Sequence, residues 1–319
     1  MEQNSTSKVG STAHSASSSC TISFPAAKLS VQSISGYKIV KLAGGVHSVH
    51  SLAHRETFHP VIGPVAEAEA LYVKQLHLPE RMAAHSGEFV IWDVGLGAAA
   101  NVLTVLRGTR AATCPLRIIS FDHTLEPLEF ALANAEALGY FTGYERVVEN
   151  FLRDHPATFE DANRKITWEL HLGDFPSLLR TPPPAVLAPH CILFDAFSPA
   201  KNPAMWTQPL FANLFRLLDP ARPCALPTYS RSTMMRVSLL LAGFFVGAGH
   251  ATGEKEETTI AANTLDLISE PLDHKWLQRA RNSTSAEPMW EPSYRQAPLT
   301  GESWEKLQQH PQFKQQRQE

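Results

Sequence analysis

Several features that would mark particular classes of protein are scarce in this sequence. Its 319 residues include only four cysteines, and these lie far apart in the chain. No two of them have the close spacing of a zinc site or of a small disulfide framework, so we expect neither, and we expect a reducing compartment. The cysteines are Cys20, Cys114, Cys191 and Cys224.

Positive charge and long apolar runs are scarce as well. The formal net charge is −3, so no global basic field favours nucleic acid, and any RNA contact must come from a local patch. The most apolar stretch, residues 237–249, is too short and too interrupted by glycine to span the ~30 Å core of a bilayer. The first residues lack the continuous apolar segment of a secretory signal. The sequence therefore predicts a cytoplasmic protein with no membrane partner.

Two glycine-rich nucleotide-binding signatures are missing too. The chain contains no Gly-Lys-Ser or Gly-Lys-Thr, which excludes the P-loop class. Residues 95–100 read "GLGAAA" and lack the third glycine that dinucleotide-binding folds prefer. Such a loop still lets backbone amides approach a ligand at the positive end of a helix, although it can also reflect tight packing alone.

What the chain does contain is a long alternation of strand and helix patterns. Continuous apolar strands that alternate with helices are typical of a doubly wound α/β sheet, Rossmann-like and covered on both faces. Ahead of it, two alternating runs flank Gly44 and Gly45 and predict a β-hairpin, and Pro64 marks the start of a helix. The predicted segments are a disordered tail at 1–35, the hairpin and helix extension at 36–80, the sheet domain at 81–272, and a polar tail, disordered or draped over the domain, at 273–319.

Acidic residues stand at the ends of four predicted strands, where ligands bind in open α/β sheets. The candidate site residues are Asp93, Asp122, Asp174 and Asp195, with Gly95, Gly97 and Asn101 in the loop after the first strand. Asp122 either accepts hydrogen bonds from two ribose hydroxyls or caps the next helix. Asp174 either accepts from an adenine amino group or caps the short segment that follows it. Four acids without a phosphate loop suit a cationic cofactor without phosphate, which predicts S-adenosyl-L-methionine.

Four segments share an unusual combination of motifs. They are "FDAFSPAKNPAMW" at 194–206, "ETFHPVIGPVAEAEALYV" at 56–73, "WDVGLGAAANVL" at 92–103 and "TYSRSTMMRVSLLLAGFFV" at 228–246. In that order they resemble "DxFxPxxNPxMW", "ExYHSxxGAxxESxxVF", "ExGFGTGLNxL" and "TYSxxxxVRxxLxxAGF" of the MnmC-like methyltransferases. That family methylates the aminomethyl group of a wobble uridine in tRNA to give 5-methylaminomethyl-2-thiouridine. The chain departs from it at Ala98 and Ala99, which replace Thr and Gly, and at Asp93, which replaces Glu.

The resemblance implies a class I S-adenosyl-L-methionine-dependent methyltransferase acting on tRNA, in a stand-alone form without the flavin-dependent oxidase domain of bifunctional members. Asp195 is the candidate acceptor of hydrogen bonds from the substrate amine, because a protonated amine has no free lone pair. Phe197 is expected to border the methyl group or stack on the target base. The resemblance assigns Glu69 to the amino end of the cofactor.

Five further residues are candidates for binding the substrate, and three of them also have a structural alternative. Lys201 contacts a phosphate or is a solvated loop lysine, and Asn202 orients a base or a backbone turn. Tyr229 lines the substrate mouth or packs in the core. Arg231 and Arg236, on one helix, are the best candidates for a local basic patch.

The fourteen histidines show no metal-like spacing, so His59 and His123 are expected to be neutral and structural, and no metal is predicted. Three functions remain. The first is a tRNA methyltransferase acting on an exocyclic amine. The second is a methyltransferase of the same fold acting on a small-molecule or protein amine, favoured by the net negative charge. The third is a non-catalytic cofactor-binding or interaction module, favoured by the altered glycine loop.

Overall fold

The computed structural model describes residues 36–181, 186–253 and 256–315. The predicted tail at 1–35 lies outside these residues. The strands are β1 (Tyr37–Lys41), β2 (His47–Ser51), β3 (Glu56–Thr57), β4 (Phe89–Val94), β5 (Leu116–Asp122), β6 (Ala157–Asp161), β7 (Arg164–Leu172), β8 (Cys191–Phe194), β9 (Ala225–Thr228), β10 (Phe245–Gly249) and β11 (Thr258–Ala262).

Helices connect most of the strands and also follow the last one. The helices are α1 (Pro64–Ala68), α2 (Leu78–Ala83), α3 (Ala100–Gly108), α4 (Glu126–Ala133), α5 (Ala135–Leu138), α6 (Glu145–Arg153), α7 (Phe175–Arg180), α8 (Gln208–Arg216), α9 (Thr233–Ala242), α10 (His274–Arg281), α11 (Gly301–Gln308) and α12 (Pro311–Gln315). A π-helical segment, Glu69–Lys74, continues α1, and short 3₁₀ turns occupy Pro203–Trp206 and Leu265–Leu267. Among the described residues, no helix is long and apolar enough to cross a membrane.

The main sheet has eight strands in the order β10-β11-β9-β8-β4-β5-β7-β6. Strands β4, β5, β7, β8 and β9 run parallel, whereas β6, β10 and β11 pair antiparallel. The chain leaves β4 toward β5 and β7 and then returns to place β8 on the other side of β4. Strand order therefore reverses beside β4, as in doubly wound folds. The predicted fold class is confirmed, while the edge strand β6 has no counterpart in the sequence-based prediction.

The main sheet carries an apolar core on each face. Along β4, Val90 and Trp92 lie in one buried cluster, and Phe89 and Ile91 lie in the other. Alternate residues of a strand point to opposite faces, so a continuous apolar strand implies a sheet covered on both sides. Three described cysteines are free and buried.

A small antiparallel sheet, β1-β2-β3, precedes the main sheet. The predicted hairpin about Gly45 is confirmed, since Ile39 pairs with Val49 across β1 and β2. The added strand β3 presents Glu56, which reaches the main domain. Val49 belongs to the same buried cluster as Phe89, so the sequences on either side of residue 80 share a core.

The C-terminal segment, predicted to be disordered or draped over the domain, forms helices that pack against the domain. Helices α10, α11 and α12 bury Trp276, Leu277, Leu307 and Phe313 against the sheet domain. Asp273 caps α10 by accepting the N–H of Trp276 at 2.7 Å. A few well-spaced apolar side chains are enough to anchor helices whose remaining residues are polar, and average composition hides them.

The 3₁₀ turn Pro203–Trp206 is separated from α8 by Thr207. This residue is extended, and its side chain accepts the N–H of Leu210 at 3.3 Å, so it caps α8. Trp206, just before it, is buried and donates from Nε1 to the carbonyl of Phe197 at 2.7 Å. The capped break fixes the end of the loop that carries Asp195.

Candidate active site

A cavity of about 730 Å³ is lined by loop residues that follow four strands, β4, β5, β7 and β8, and by residues 54–60. This edge of the sheet, next to the reversal of strand order, is where open α/β folds bind ligands. The volume falls within the ~300–1,000 Å³ of small-molecule sites. The cavity therefore lies at the strand ends where the sequence predicts the site.

The loop after β4 passes close to the backbone of Asp195. Gly95 has a φ of 92°, and a Cβ at this position would lie 2.7 Å from the carbonyl oxygen of Asp195, so the position requires glycine. Gly97 has a φ of 50°, and its N–H donates to Oδ2 of Asp122 at 2.9 Å. Ala99 also adopts a left-handed conformation, with a φ of 59°, where glycine would be less strained. The loop thus keeps the backbone conformation of a glycine-rich loop, although residue 99 is alanine.

Two side chains from other elements hold the Asp195 carboxylate. Asn101, at the start of α3, donates from Nδ2 to Oδ2 of Asp195 at 2.8 Å. His59 Nε2 lies 3.3 Å from the same oxygen. Asn101 is 3% exposed, and its Oδ1 makes no hydrogen bond to any residue that the structure describes. The carboxylate is therefore fixed at the cavity wall, next to a buried acceptor.

His59 connects Asp195 to a second buried acid, Glu67. Its Nδ1 lies 3.4 Å from Oε1 of Glu67. Burial alone would lower the pKa of His59, but Asp195 and Glu67 outweigh it and raise the pKa to about 9. The expectation of a neutral, structural His59 is therefore wrong, because two carboxylates surround it. The side-chain atoms of these three residues that could bind a metal ion lie within 4.8 Å of one another. When protonated, the His59 imidazole is itself the cation between the two acids.

Glu67, rather than Glu69, is the acid that lines the cavity from the N-terminal helix. Glu69 is largely exposed and pairs with Lys74 at 2.9 Å. Residues two apart on a helix point about 200° apart, so both acids cannot face the same site. The sequence held the signal, because Glu67 falls on the same helical stripe as the buried Leu71.

The carboxylate of Asp122, the last residue of β5, braces the loop after β4. Besides the amide of Gly97, it accepts the N–H of His123 at 2.7 Å, and it pairs with the His123 ring at 3.1 Å. The hydrogen bond from this ring to the carboxylate raises the pKa of His123, against the opposing effect of burial. Asp122 lines the cavity and does not cap α4, whose N-cap is Leu125. The capping alternative is therefore wrong, and a contact from Asp122 to the ribose hydroxyls stays a prediction.

Asp93 lies off the cavity, which corrects its predicted place beside the cofactor. It is 1% exposed and accepts a hydrogen bond from Ser120 Oγ at 2.7 Å, while Trp168 donates to the same hydroxyl at 2.9 Å. Burial raises the pKa of Asp93 to about 7, with the charges of Asp122 and Asp195 adding to it and the Ser120 hydrogen bond opposing it. Asp93 is still within β4, so its side chain points to a sheet face instead of past the strand end.

Asp174 lines the cavity and also caps α7. Its Oδ2 accepts the backbone N–H of Ser177 at 3.1 Å and a hydrogen bond from the Ser177 hydroxyl. The capping alternative is therefore confirmed, and a contact from Asp174 to an adenine amino group stays a prediction.

The loop after β8 forms another wall of the cavity. Phe197 stacks on His54, with 4.1 Å between ring centroids, and Ser198 donates its backbone N–H to Glu56 at 3.1 Å and its hydroxyl to the same carboxylate. Lys201 and Asn202 line the cavity, and both donate their backbone N–H groups to the carbonyl of Ser198 at 2.8 Å. The small N-terminal sheet thus holds this loop in place through Glu56.

The helix after β9 contributes less than the sequence suggested. Tyr229 lines the cavity and donates from its hydroxyl to the carbonyl of Ala196 at 3.0 Å, and burial raises its pKa well above the usual range. Arg231 is exposed and lies outside the residues that line the cavity. Arg236 is buried, and it pairs with Glu257 at 3.2 Å. The basic patch predicted on this helix therefore does not form at the site.

The site also contains residues that the sequence-based reasoning passed over. These are His54, Glu56 and Glu67, whereas His59 was considered only as a neutral histidine. Glu56, His59 and Glu67 lie in the segment that resembles the family's "ExYHSxxGAxxESxxVF", and His54 lies just before it. Their spacing in the chain carries no metal or catalytic motif. Only the motif itself, taken position by position, would have singled out Glu56, His59 and Glu67.

Comparisons with known proteins match this chain over most of its described length. Residues 142–264 match the family described as S-adenosyl-L-methionine-dependent methyltransferase. The tRNA 5-methylaminomethyl-2-thiouridine biosynthesis bifunctional protein MnmC of Methylibium petroleiphilum is 28% identical over 242 residues, which are 73% of this chain and 35% of that protein. MnmC of Aeromonas hydrophila is 32% identical over 208 residues, 60% of this chain and 30% of that protein. The chain thus spans about a third of the length of these curated relatives.

The fold has a match among solved structures. The crystal structure of MNMC2 from Aquifex aeolicus superposes with a TM-score of 0.63 at 22% identity, covering 85% of this chain and 82% of that one. At that identity the match supports the fold. The resemblance and the cofactor class predicted from the sequence are confirmed by the family match and the relatives together.

Proposed function

We propose that this chain, an MnmC-like S-adenosyl-L-methionine-dependent methyltransferase, transfers a methyl group to the aminomethyl nitrogen of a wobble uridine in tRNA. The proposal is supported by the relatives, whose names specify 5-methylaminomethyl-2-thiouridine biosynthesis in tRNA. The observation that carries it is the Asp195 carboxylate, fixed by Asn101 and His59 at the wall of the cavity. A tRNA substrate also implies a cytoplasmic location, which is part of the proposal.

The lining of the cavity suits the cofactor in charge. Its lining includes Asp122 and Glu67 but no phosphate-binding loop, as suits a cationic ligand without phosphate. Gly95 leaves no room for a side chain beside the Asp195 backbone, and the unpartnered Oδ1 of Asn101 is an acceptor suited to an ammonium group. We assign Asp122 to the ribose and Glu67 with Asn101 to the amino-acid end.

The chemistry requires an amine that has lost a proton and points its lone pair at an electrophilic carbon. S-adenosyl-L-methionine, when bound, supplies that carbon as the methyl group on its sulfonium. Asp195 accepts a hydrogen bond from the protonated amine, orients it, and takes up the proton that the nitrogen must release. Positioning accounts for much of the rate in such a displacement, so the fixed rotamer of Asp195 is central.

His59 and Glu67 set the charge around Asp195. With His59 protonated and both acids ionised, the three side chains carry a formal charge of −1. This group attracts a cationic amine, while the imidazolium keeps the two carboxylates from repelling each other. We infer that His59 favours the ionised form of Asp195, which is the form that accepts a hydrogen bond from the substrate amine.

The experiment that tests the function is nucleoside mass spectrometry of tRNA from cells lacking the gene, together with methylation of that tRNA by purified protein. We expect loss of methylaminomethyl-uridines in the cells and restoration in vitro. Asp195→Asn should bind S-adenosyl-L-methionine normally but turn over at least about 100-fold more slowly, as expected for loss of a general base. Unchanged tRNA nucleosides would reject the tRNA assignment, and wild-type turnover by Asp195→Asn would make this acid structural.

The acidic lining would also accept the ammonium of a small-molecule amine. This observation favours a second candidate function, methylation of a small-molecule amine. Methylation of free amines by purified protein, with unchanged tRNA nucleosides in the deletion strain, would select it. Absence of S-adenosyl-L-methionine binding in calorimetry would reject both enzymatic functions.

A further inference from the structure

We propose that the edge of the cavity is a phosphate-binding surface for RNA, at which Arg55 and Lys201 contact phosphodiester groups beside the nucleotide whose base enters the cavity. The inference rests on the proposed RNA substrate and adds to it the residues that hold the RNA backbone. It replaces the patch that the sequence suggested on the helix after β9.

Arg55 and Lys201 both line the cavity and are exposed to solvent. Neither forms a salt bridge with any residue that the structure describes. The nearby His123, by contrast, is paired with Asp122 at 3.1 Å. Arg55 and Lys201 therefore have their charge available for an external anion.

The two cations lie on loops that are joined to each other. Arg55 sits between His54, whose ring stacks on Phe197, and Glu56, whose carboxylate accepts two hydrogen bonds from Ser198. Lys201 lies in the turn closed on the carbonyl of Ser198 at 2.8 Å. These contacts fix the backbone positions from which the side chains of Arg55 and Lys201 extend. A lysine or arginine on an unsupported surface loop has no such constraint.

Charge is segregated between the inside of the cavity and its edge. Glu67 and Asp195, deep in the site, have side chains only 4% and 15% exposed, whereas Arg55 and Lys201 are at the surface. Asp174 is an exposed acid at the edge, but its carboxylate is engaged as the cap of α7. A cationic amine and cofactor suit the interior, and a polyanionic backbone suits the edge.

His54, between the cations, adds no charge of its own. Burial lowers the pKa of its imidazole, and nearby His123 and Lys201 lower it further, against the opposing effect of Glu56. A neutral His54 stacked on Phe197 therefore forms an apolar wall beside the cationic groups. Since the whole chain has a formal charge of −3, RNA attraction depends on a local arrangement of this kind.

The test is the salt dependence of RNA binding, measured by fluorescence anisotropy with a labelled anticodon stem-loop RNA that carries 5-aminomethyluridine at the wobble position. Each phosphate contact to a single strand contributes about 0.7 to the slope of log K against log salt. We expect Arg55→Ala and Lys201→Ala each to reduce the slope by about 0.7, and the double variant by about 1.4. Arg55→Lys should keep most of the slope, because it keeps the charge.

The matched control is Arg231→Ala, which removes an exposed arginine close in sequence to Tyr229 but outside the cavity lining. It should keep the wild-type slope. A double variant of Arg55 and Lys201 with the wild-type slope would overturn the proposal, as would an equal loss in Arg231→Ala or salt-independent binding by the wild type. S-adenosyl-L-methionine affinity, measured in parallel, reports whether each variant is folded.

The outcomes also separate this inference from the proposed function. If the stem-loop is methylated but the slope does not depend on Arg55 and Lys201, the surface is elsewhere and the function stands. If the slopes change as expected but no methyl group is transferred to the RNA, the surface stands and the assigned reaction fails.

Discussion

The strongest prediction concerns His59, which is buried between Glu67 and Asp195. Its pKa rises from 6.5 to about 9 in the folded protein. At 1.36 kcal/mol per pH unit, this shift corresponds to about 3 kcal/mol of stability. The magnitude agrees with the ~3–5 kcal/mol lost when one partner of a buried ion pair is removed. His59→Gln should therefore be less stable than the wild type by about 3 kcal/mol near neutral or slightly acidic pH.

The pH dependence follows from the direction of the shift. The folded protein binds the His59 proton more tightly than the unfolded chain does, so the stabilisation is complete below pH 6.5 and is lost as pH rises through about 9. The gap between wild type and His59→Gln should be about 3 kcal/mol at pH 6.5 and should approach zero above pH 9. Both proteins keep Asp93, so the titration of that acid cancels in the difference.

The assay is urea unfolding at a series of pH values, with the free energy of unfolding extrapolated to water for each protein. The control is His123→Gln, which removes a histidine that also pairs with an aspartate but has a side chain 61% exposed. Exposed pairs contribute about 0–1 kcal/mol, so its effect should be small at every pH. A gap for His59→Gln that stays constant from pH 6.5 to 9.5 would refute the assigned protonation of His59.

Three further predictions concern Asp93, Ala99 and Glu67. The pKa of Asp93 is raised to about 7, so its ionisation lowers the stability of the wild type as pH rises. The free energy of unfolding of Asp93→Asn relative to the wild type, measured in urea titrations, should therefore increase by about 3 kcal/mol from pH 5 to pH 7. Ala99→Gly relieves a left-handed backbone, so it should be less destabilising, by about 1–2 kcal/mol, than Ala131→Gly at an equally buried, right-handed helical position. Calorimetry should show at least about tenfold weaker S-adenosyl-L-methionine binding for Glu67→Gln, equivalent to 1.4 kcal/mol, and no change for the exposed Glu69→Gln. Equal destabilisation by Ala99→Gly and Ala131→Gly, or equal loss of binding in Glu67→Gln and Glu69→Gln, would contradict the position assigned to Ala99 or Glu67. A stability difference for Asp93→Asn that does not change with pH would contradict the raised pKa of Asp93.

The parts of the fold and site that could be predicted from the sequence depend on local patterns. Buried parallel strands read as apolar runs, and their carboxyl ends meet at one edge, so Asp122, Asp174 and Asp195 could be assigned to one cavity without knowing the strand order. Asp93 failed the same reasoning because it lies one residue before the end of β4, still within the sheet. An error of one position along a strand reverses the direction of a side chain, and strand ends are the least certain feature of any sequence pattern.

The cluster of His59, Glu67 and Asp195 could not be predicted, because its three residues come together only in the tertiary structure. His59 and Asp195 are 136 positions apart, and they meet because β3 and α1 pack over the carboxyl ends of β4 and β8. A histidine between two acids has no characteristic sequence spacing when the acids come from different segments. Fourteen scattered histidines made the neutral reading the better expectation. His59 is distinguished from the other histidines by its contacts with two carboxylates, which raise its pKa, and not by its residue type.

The N-terminal extension is therefore part of the reaction site and not only a cover for it. The main sheet supplies Asp195 and Asn101, but the histidine that contacts Asp195 is His59, and the second acid that contacts His59 is Glu67. The hydrogen bonds from Ser198 to Glu56 tie the same extension to the loop that carries Asp195. The His59–Asp195 and Glu56–Ser198 contacts each join a residue from 56–67 to a residue of the main domain. The cluster of His59, Glu67 and Asp195 is therefore complete only where this segment packs onto the sheet, because Asp195 comes from the main domain and the other two residues do not.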